Sequence, residues 1–152
     1  MLSVRFTLNG QPVTAEIHPG QTLLEYLRSI GIFSVKYGCG HGECGTCTVL
    51  VDDKAMNACL LLMPVLENRR VETLEALESD GDLARLQELF IDEGAIQCGY
   101  CTPGMLLSLV ALLREDPKPD IDAIRDALSG NLCRCTGYVK PVSAAERFIL
   151  SR

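Results

Sequence analysis

Eight cysteines, in two sets of four, constrain what this 152-residue chain can fold into more than any other feature. The first set is Cys39, Cys44, Cys47 and Cys59, and the second set is Cys98, Cys101, Cys133 and Cys135. Because 47% of its residues are hydrophobic, the chain can bury a core and does not need disulfide staples. Its first residues alternate between apolar and polar types, which is unlike a signal peptide. We therefore expect a cytoplasmic protein whose cysteines bind metal or carry out redox chemistry.

Composition and local patterns argue against several classes of function. The net charge is −6 and no basic stripe is present to neutralise phosphates, so we expect no nucleic-acid partner. The longest apolar runs, 58–66 and 105–113, are far shorter than the roughly 20 residues of a membrane helix, so we expect no membrane span. The G-x-S-x-G, H-E-x-x-H and P-loop patterns are absent, and we expect no catalytic residue for a substrate in this chain.

The first half of the chain, residues 1–76, has the two-residue period of strands. Apolar and polar residues alternate on both sides of Asn9-Gly10, which is a strong hairpin signal. A Thr-x-x-Glu capping box at Thr22 then predicts a short helix. Further strands are predicted at 48–51, 55–60 and 70–74. Two strands, a helix and then more strands indicate a β-grasp domain.

The second half, residues 77–152, has the period of four short helices, and the boundary is expected in the polar segment 76–82. Each cysteine pair of the second set lies shortly before a helix, and Thr102 with Pro103 is typical of such a start. If the two helix–cysteine–helix units pair antiparallel, both cysteine pairs meet at one end of a four-helix bundle. The predicted fold class is therefore α+β.

The first cysteine set has the Cys-x4-Cys-x2-Cys…Cys spacing of plant-type [2Fe–2S] ferredoxins. Three thiolates from one loop require a tightly curled backbone, and the loop carries four glycines between residues 38 and 45. Zinc sites more often present two Cys-x2-Cys knuckles, and only one is present here. We interpret His18 and His41 as surface residues, because four cysteines leave no need for the histidine ligands of a Rieske centre.

The spacing of the second set does not by itself separate a [2Fe–2S] cluster from zinc. Each cysteine pair precedes a helix N-terminus, where unpaired N–H groups favour thiolate charge. That environment suits either metal group, so at this point both alternatives stay open.

Three segments together resemble the small iron–sulfur subunit of the molybdenum hydroxylases, a family that includes xanthine dehydrogenases. The segments are Tyr37 to Val49, Ala95 to Gly104 and Leu128 to Tyr138. They occur in the family's order, and all eight cysteines match its pattern, so the resemblance covers nearly the whole chain. One small departure is Asp53, which stands in a turn where many relatives have Gly.

The resemblance implies a ferredoxin-like domain with an outer [2Fe–2S] cluster, followed by a helical domain with an inner [2Fe–2S] cluster. The implied outer ligands are Cys39, Cys44, Cys47 and Cys59, and the inner ligands are Cys98, Cys101, Cys133 and Cys135. By matching position, the resemblance implies that Gln97 and Cys135 contact a molybdopterin bound by a large partner subunit. The cytosine dinucleotide is one possible form of this cofactor. The alternative role for Gln97 is to cap a loop. FAD is expected on a medium subunit, and the complex is expected to be a dimer of heterotrimers.

The implied function is electron transfer for an oxidoreductase that this chain does not complete. Electrons pass from the molybdopterin centre through the inner and outer clusters to FAD. The substrate is expected to be xanthine or another purine, with nicotinate, other N-heterocycles, aldehydes and carbon monoxide as alternatives. Two alternatives of other classes are a zinc-binding interaction module without redox function and a free-standing two-cluster ferredoxin.

Overall fold

The computed structural model describes residues 1–77 and 81–152. The segment in which we expect the domain boundary, 76–82, includes residues 78–80, which lie outside the described residues. Within the described residues, no helix has the length and apolar character needed to cross a membrane.

The first half forms a five-stranded mixed sheet. Its strands are β1 (Leu2–Leu8), β2 (Gln11–Ile17), β3 (Thr48–Val51), β4 (Lys54–Asn57) and β5 (Arg70–Glu72). They are ordered β2-β1-β5-β3-β4, and β1 and β5 are parallel while the other neighbours are antiparallel. Asn9 and Gly10 both have positive φ angles, of 51° and 77°, as the predicted tight hairpin requires. Helix α1 (Leu23–Ser29) packs its three leucines into the core beneath the sheet.

Helix α1 begins at the predicted capping box. The Thr22 hydroxyl accepts the Glu25 N–H at 3.2 Å, and the Glu25 carboxylate accepts the Thr22 N–H at 2.8 Å. These hydrogen bonds from Thr22 lower the pKa of Glu25, because they favour its charged form.

The strand predicted at 55–60 is wrong in its second part. β4 ends at Asn57, and a 3-10 turn over Ala58–Leu60 follows it. The Ala58 N–H donates to the Cys47 carbonyl at 3.1 Å, which continues the β3–β4 pairing by one position and holds Cys59 beside the first cysteine loop.

Four helices form the second half, as predicted. They are α2 (Gly81–Asp92), α3 (Thr102–Glu115), α4 (Ile121–Ser129) and α5 (Val139–Leu150). Their core consists mainly of leucines with Phe90 and Phe148, and Leu50 of β3 is buried in the same cluster. A sheet followed by helices confirms the predicted α+β class. The two halves of the chain are in direct contact, because they share part of one hydrophobic core.

A network of ion pairs also joins the halves. Asp52 and Asp53 form the turn between β3 and β4, with positive φ angles of 49° and 68°. Arg114 of α3 reaches Asp53 at 2.5 Å and Glu72 at 2.6 Å. The side chain at Asp53, costly in a turn that favours glycine, thus gains a partner on the other half of the chain.

We predict that Arg114→Ala lowers the free energy of unfolding by about 1 kcal/mol, because the pair with Glu72 is half-buried and belongs to a network. Equilibrium unfolding in urea measures the change. Arg125→Ala is the control, since its ion pair with Asp122 lies within one exposed helix face and should contribute little. Equal losses in the two variants contradict a role of Arg114 in joining the halves.

Candidate metal centres

The first cysteine loop curls around the sulfur of Cys39. This Sγ accepts backbone N–H groups from Glu43 at 3.3 Å, Cys44 at 3.4 Å and His41 at 3.5 Å. The hydrogen bond from His41 contributes most to lowering the pKa of Cys39 to about 6. A loop that aims its N–H groups at sulfur stabilises thiolate charge, and such hydrogen bonds also tune the reduction potential of a cluster.

Cys44 lies beside Cys39 in the same loop. Its Sγ accepts the Cys39 N–H at 3.4 Å and lies 3.2 Å from the Thr46 hydroxyl oxygen. A Cβ atom on Gly38 would lie 2.8 Å from both that sulfur and that hydroxyl. Glycine at this position therefore leaves the room that the Cys44 sulfur and the Thr46 hydroxyl need.

Cys47 and Cys59 complete the first set from beneath the loop. Both are buried, and their thiols interact with each other. Burial raises the pKa of Cys47 to about 12, because the low-dielectric surroundings disfavour a thiolate. A thiolate here needs an adjacent cation, and a thiol bound to metal is deprotonated outright.

The second set lies at one end of the helical half, as predicted. Cys101 occupies the N-cap position of α3 without a side-chain capping hydrogen bond, and burial raises the pKa of its thiol to about 12. Its thiol interacts with that of Cys133. Burial opposes ionisation of Cys133 as well, but hydrogen bonds from Thr136, Cys135 and Cys101 together outweigh it, so the pKa of Cys133 is lowered. Cys98 and Cys135 are exposed.

Gln97 and Cys135, predicted to act at one site, lie together. The Gln97 side-chain amide donates to the Cys135 carbonyl at 3.2 Å, and both residues are exposed. The bond joins the loop before α3 to the loop before α5, so Gln97 caps a loop and is at the same time presented at the surface beside a cysteine of the second set.

The two cysteine loops are in direct contact. The Leu132 N–H donates to the Cys44 carbonyl at 2.9 Å, so a residue adjacent to Cys133 bonds a cysteine of the first set. The Tyr100 hydroxyl also donates to the Tyr37 carbonyl. The sequence analysis did not identify this junction, although Tyr37, Tyr100 and Leu132 all lie inside the three segments that carried the family resemblance.

The arrangement of the thiols suits a group with two irons. The thiols of each set interact with one another: Cys39 with Cys44, Cys47 with Cys59 and Cys44, and Cys101 with Cys133 and Cys98. A [2Fe–2S] cluster takes four thiolates, two on each iron, so the donor chemistry and the gathering of the thiols both fit such a cluster.

Two protein families match the chain. The family described as a 2Fe-2S iron-sulfur cluster binding domain matches residues 6–81, and the family described as a [2Fe-2S] binding domain matches residues 73–146. Together they include both cysteine sets. These matches confirm the prediction of two [2Fe–2S] clusters. For the second set, the match favours an iron–sulfur cluster over zinc.

Similar proteins of known function extend over the whole chain. The nicotinate dehydrogenase small FeS subunit of Eubacterium barkeri is 43% identical, with 99% of this chain and 96% of that protein covered. The xanthine dehydrogenase iron-sulfur-binding subunit of Escherichia coli O157:H7 is 46% identical, with 90% and 87% covered.

A solved structure has the same fold. Quinoline 2-oxidoreductase from Pseudomonas putida 86 contains a chain that is 38% identical, with a TM-score of 0.91. The match covers 99% of this chain and 94% of that one.

We predict that each cysteine set holds its own cluster, so that Cys47→Ser and Cys101→Ser each lower the iron content from about four to about two per chain. Iron and acid-labile sulfide assays measure the change, and the visible spectrum checks that the remaining cluster is intact. Ser143→Ala, which removes a hydroxyl bonded to the Glu93 carboxylate at 3.2 Å, serves as the control. Retention of all four irons in either cysteine variant contradicts the assignment of that cysteine.

Proposed function

Because the chain belongs to the family of small [2Fe–2S] subunits of the molybdenum hydroxylases, we propose that it carries electrons between molybdopterin and FAD on partner subunits. Membership of the family supports the electron-transfer role. What we propose in addition is that the electrons pass between molybdopterin and FAD on partner subunits. The observation that best supports it is the contact of the two cysteine loops through Leu132 and Cys44, at 2.9 Å. Two redox groups held this close together can exchange electrons, as a path between two partner cofactors requires.

We assign the ligands as the family pattern does. The outer cluster is held by Cys39, Cys44, Cys47 and Cys59, and the inner cluster by Cys98, Cys101, Cys133 and Cys135. When bound, these clusters supply sites that take up and release single electrons. The chain itself supplies thiolates, N–H groups aimed at sulfur, and a core that keeps water away from Cys47 and Cys101.

The exposed side of the second set is assigned to the large, molybdopterin-binding subunit. Cys98, Cys135 and Gln97 are exposed there, and the Gln97 amide is held beside Cys135 with its remaining hydrogen-bonding groups available to a ligand. An amide beside a cluster ligand can orient a pterin ring, whose edge carries both donors and acceptors. The medium, FAD-binding subunit is assigned to the side of the first set, where His41 and Leu60 are exposed.

For the substrate we propose a purine such as xanthine, with nicotinate as the alternative. The two relatives described above are named for nicotinate and xanthine, and their identities of 43% and 46% do not separate the two. The substrate is bound by the large subunit, so this chain contributes the electron path and no substrate contact. A dimer of heterotrimers in the cytoplasm completes the proposal.

Reduction by substrate tests the role and the substrate together. The complex is isolated through a tag on this chain, and xanthine, nicotinate or an aldehyde is added without oxygen. We predict that xanthine bleaches the visible bands of the clusters as far as dithionite does, because its oxidation delivers electrons to them. Bleaching by nicotinate alone overturns the purine assignment and leaves the electron-transfer role intact.

The matched control is the same complex carrying Cys101→Ser. It lacks the inner cluster in our assignment, so substrate should no longer bleach the outer one, while dithionite still does. If none of the three substrates bleaches the intact complex, the purine assignment is wrong. If Cys101→Ser makes no difference to bleaching by substrate, the proposed electron path is wrong.

A further inference from the structure

Asn131 is a buried polar residue whose side chain touches both halves of the chain. It is 1% exposed. Its Nδ2 donates to the Gly45 carbonyl at 3.0 Å and to the Thr48 hydroxyl at 3.2 Å, both in the first half. Its Oδ1 accepts the hydroxyl of Ser108, in α3, at 2.7 Å. One side chain therefore connects the first cysteine loop, strand β3 and helix α3.

The backbones around Asn131 approach so closely that no side chain fits between them. A Cβ on Gly45 would lie 2.1 Å from the Gly130 carbonyl oxygen, and a Cβ on Gly104 would lie 2.6 Å from the Gly45 carbonyl oxygen. Gly45 follows Cys44 directly, Gly130 precedes Asn131, and Gly104 lies in the first turn of α3 after Cys101. The contact thus involves backbone next to cysteines of both sets.

Hydrogen bonds hold the short segment between Asn131 and Cys133 in place. Leu132 bonds the Cys44 carbonyl at 2.9 Å. The Tyr138 hydroxyl accepts the Cys133 N–H at 3.0 Å and donates to the Asn131 carbonyl at 2.9 Å. Because the segment is held on both sides, a shift of Asn131 away from Gly45 also moves Cys133 away from Cys44.

Resting on the function proposed above, we propose that Asn131 is a positioning residue that sets the separation of the two clusters and so the rate of electron exchange between them. The exchange oxidises one cluster and reduces the other by the same single electron, and no bond forms or breaks. Asn131 is not one of the eight cysteine ligands, and its amide acts through the Gly45 carbonyl and the Ser108 hydroxyl.

Asn57, the last residue of β4, offers a matched control, because it bonds the same cysteine loop. Its side-chain amide donates to the Gly42 carbonyl at 3.0 Å, so it too bonds a glycine of the first cysteine loop. Both partners of this hydrogen bond lie in the first half of the chain, and it does not connect the two loops. Removing it should loosen the first loop without changing the separation of the two sets.

The test uses the full chain with both clusters, checked by iron and sulfide content. A single electron is delivered by pulse reduction, and the redistribution between the clusters is followed by absorption. In Asn131→Ala we expect this rate to fall severalfold, because the rate of electron tunnelling decreases exponentially with the distance between two redox groups. The magnetic interaction between the two fully reduced clusters, read by electron paramagnetic resonance, should weaken in parallel. Asn57→Ala should leave both quantities unchanged.

An unchanged exchange rate in Asn131→Ala, with both clusters present, overturns the role of Asn131 and leaves the proposed function standing. A wild-type chain without two reducible clusters overturns the proposed function itself. If Asn131→Ala loses a cluster, Ser108→Ala decides by the same two measurements, because it keeps the Asn131 amide in place and removes one of its anchors. A slower rate and weaker magnetic interaction in that variant support the role, and wild-type values overturn it.

Discussion

Cys47 and Cys101 are buried thiols, and burial raises the pKa of each to about 12, so neither ionises readily at neutral pH by itself. Iron binding requires the thiolate, and this requirement organises each half of the chain. In the first half, backbone N–H groups converge on the sulfur of Cys39 and lower its pKa. In the second half, Thr136 lowers the pKa of Cys133 beside the buried thiol of Cys101. Each set therefore combines groups that favour negative charge with buried thiols that need a metal to carry it.

The two sets are useful together only if the halves of the chain are fixed to each other. Three kinds of contact do this. Leu50 of β3 lies in the helical core, Arg114 pairs with Asp53 and Glu72, and Asn131 bonds Gly45. These contacts differ in burial. The contact at Asn131 has the strictest geometry, because buried polar groups must lie at hydrogen-bonding distance from each other to avoid being left unpaired.

The sequence predicts well what is local. The Asn9-Gly10 hairpin, the capping box at Thr22 and the four helices depend on local sequence patterns, and all are present. The strand at 55–60 was predicted too long, because apolar alternation does not reveal the 3-10 turn over Ala58–Leu60 that places Cys59 next to Cys47. The bond between Asn131 and Gly45 spans 86 residues, and neither residue differs locally from any loop asparagine or glycine. Contacts of this kind depend on how the two halves of the chain pack against each other. The hydrophobic periodicity of the sequence cannot predict them, because it indicates only which face of a helix or strand is buried.

The central claim is that this chain holds two [2Fe–2S] clusters on two cysteine sets. The most direct test is the visible spectrum of the anaerobically purified chain before and after dithionite, with iron and acid-labile sulfide assays on the same sample. The account predicts about four irons and about four sulfides per chain, with visible bands that bleach on reduction. A colourless chain that binds zinc in place of iron and sulfide, after expression with adequate iron, would contradict it.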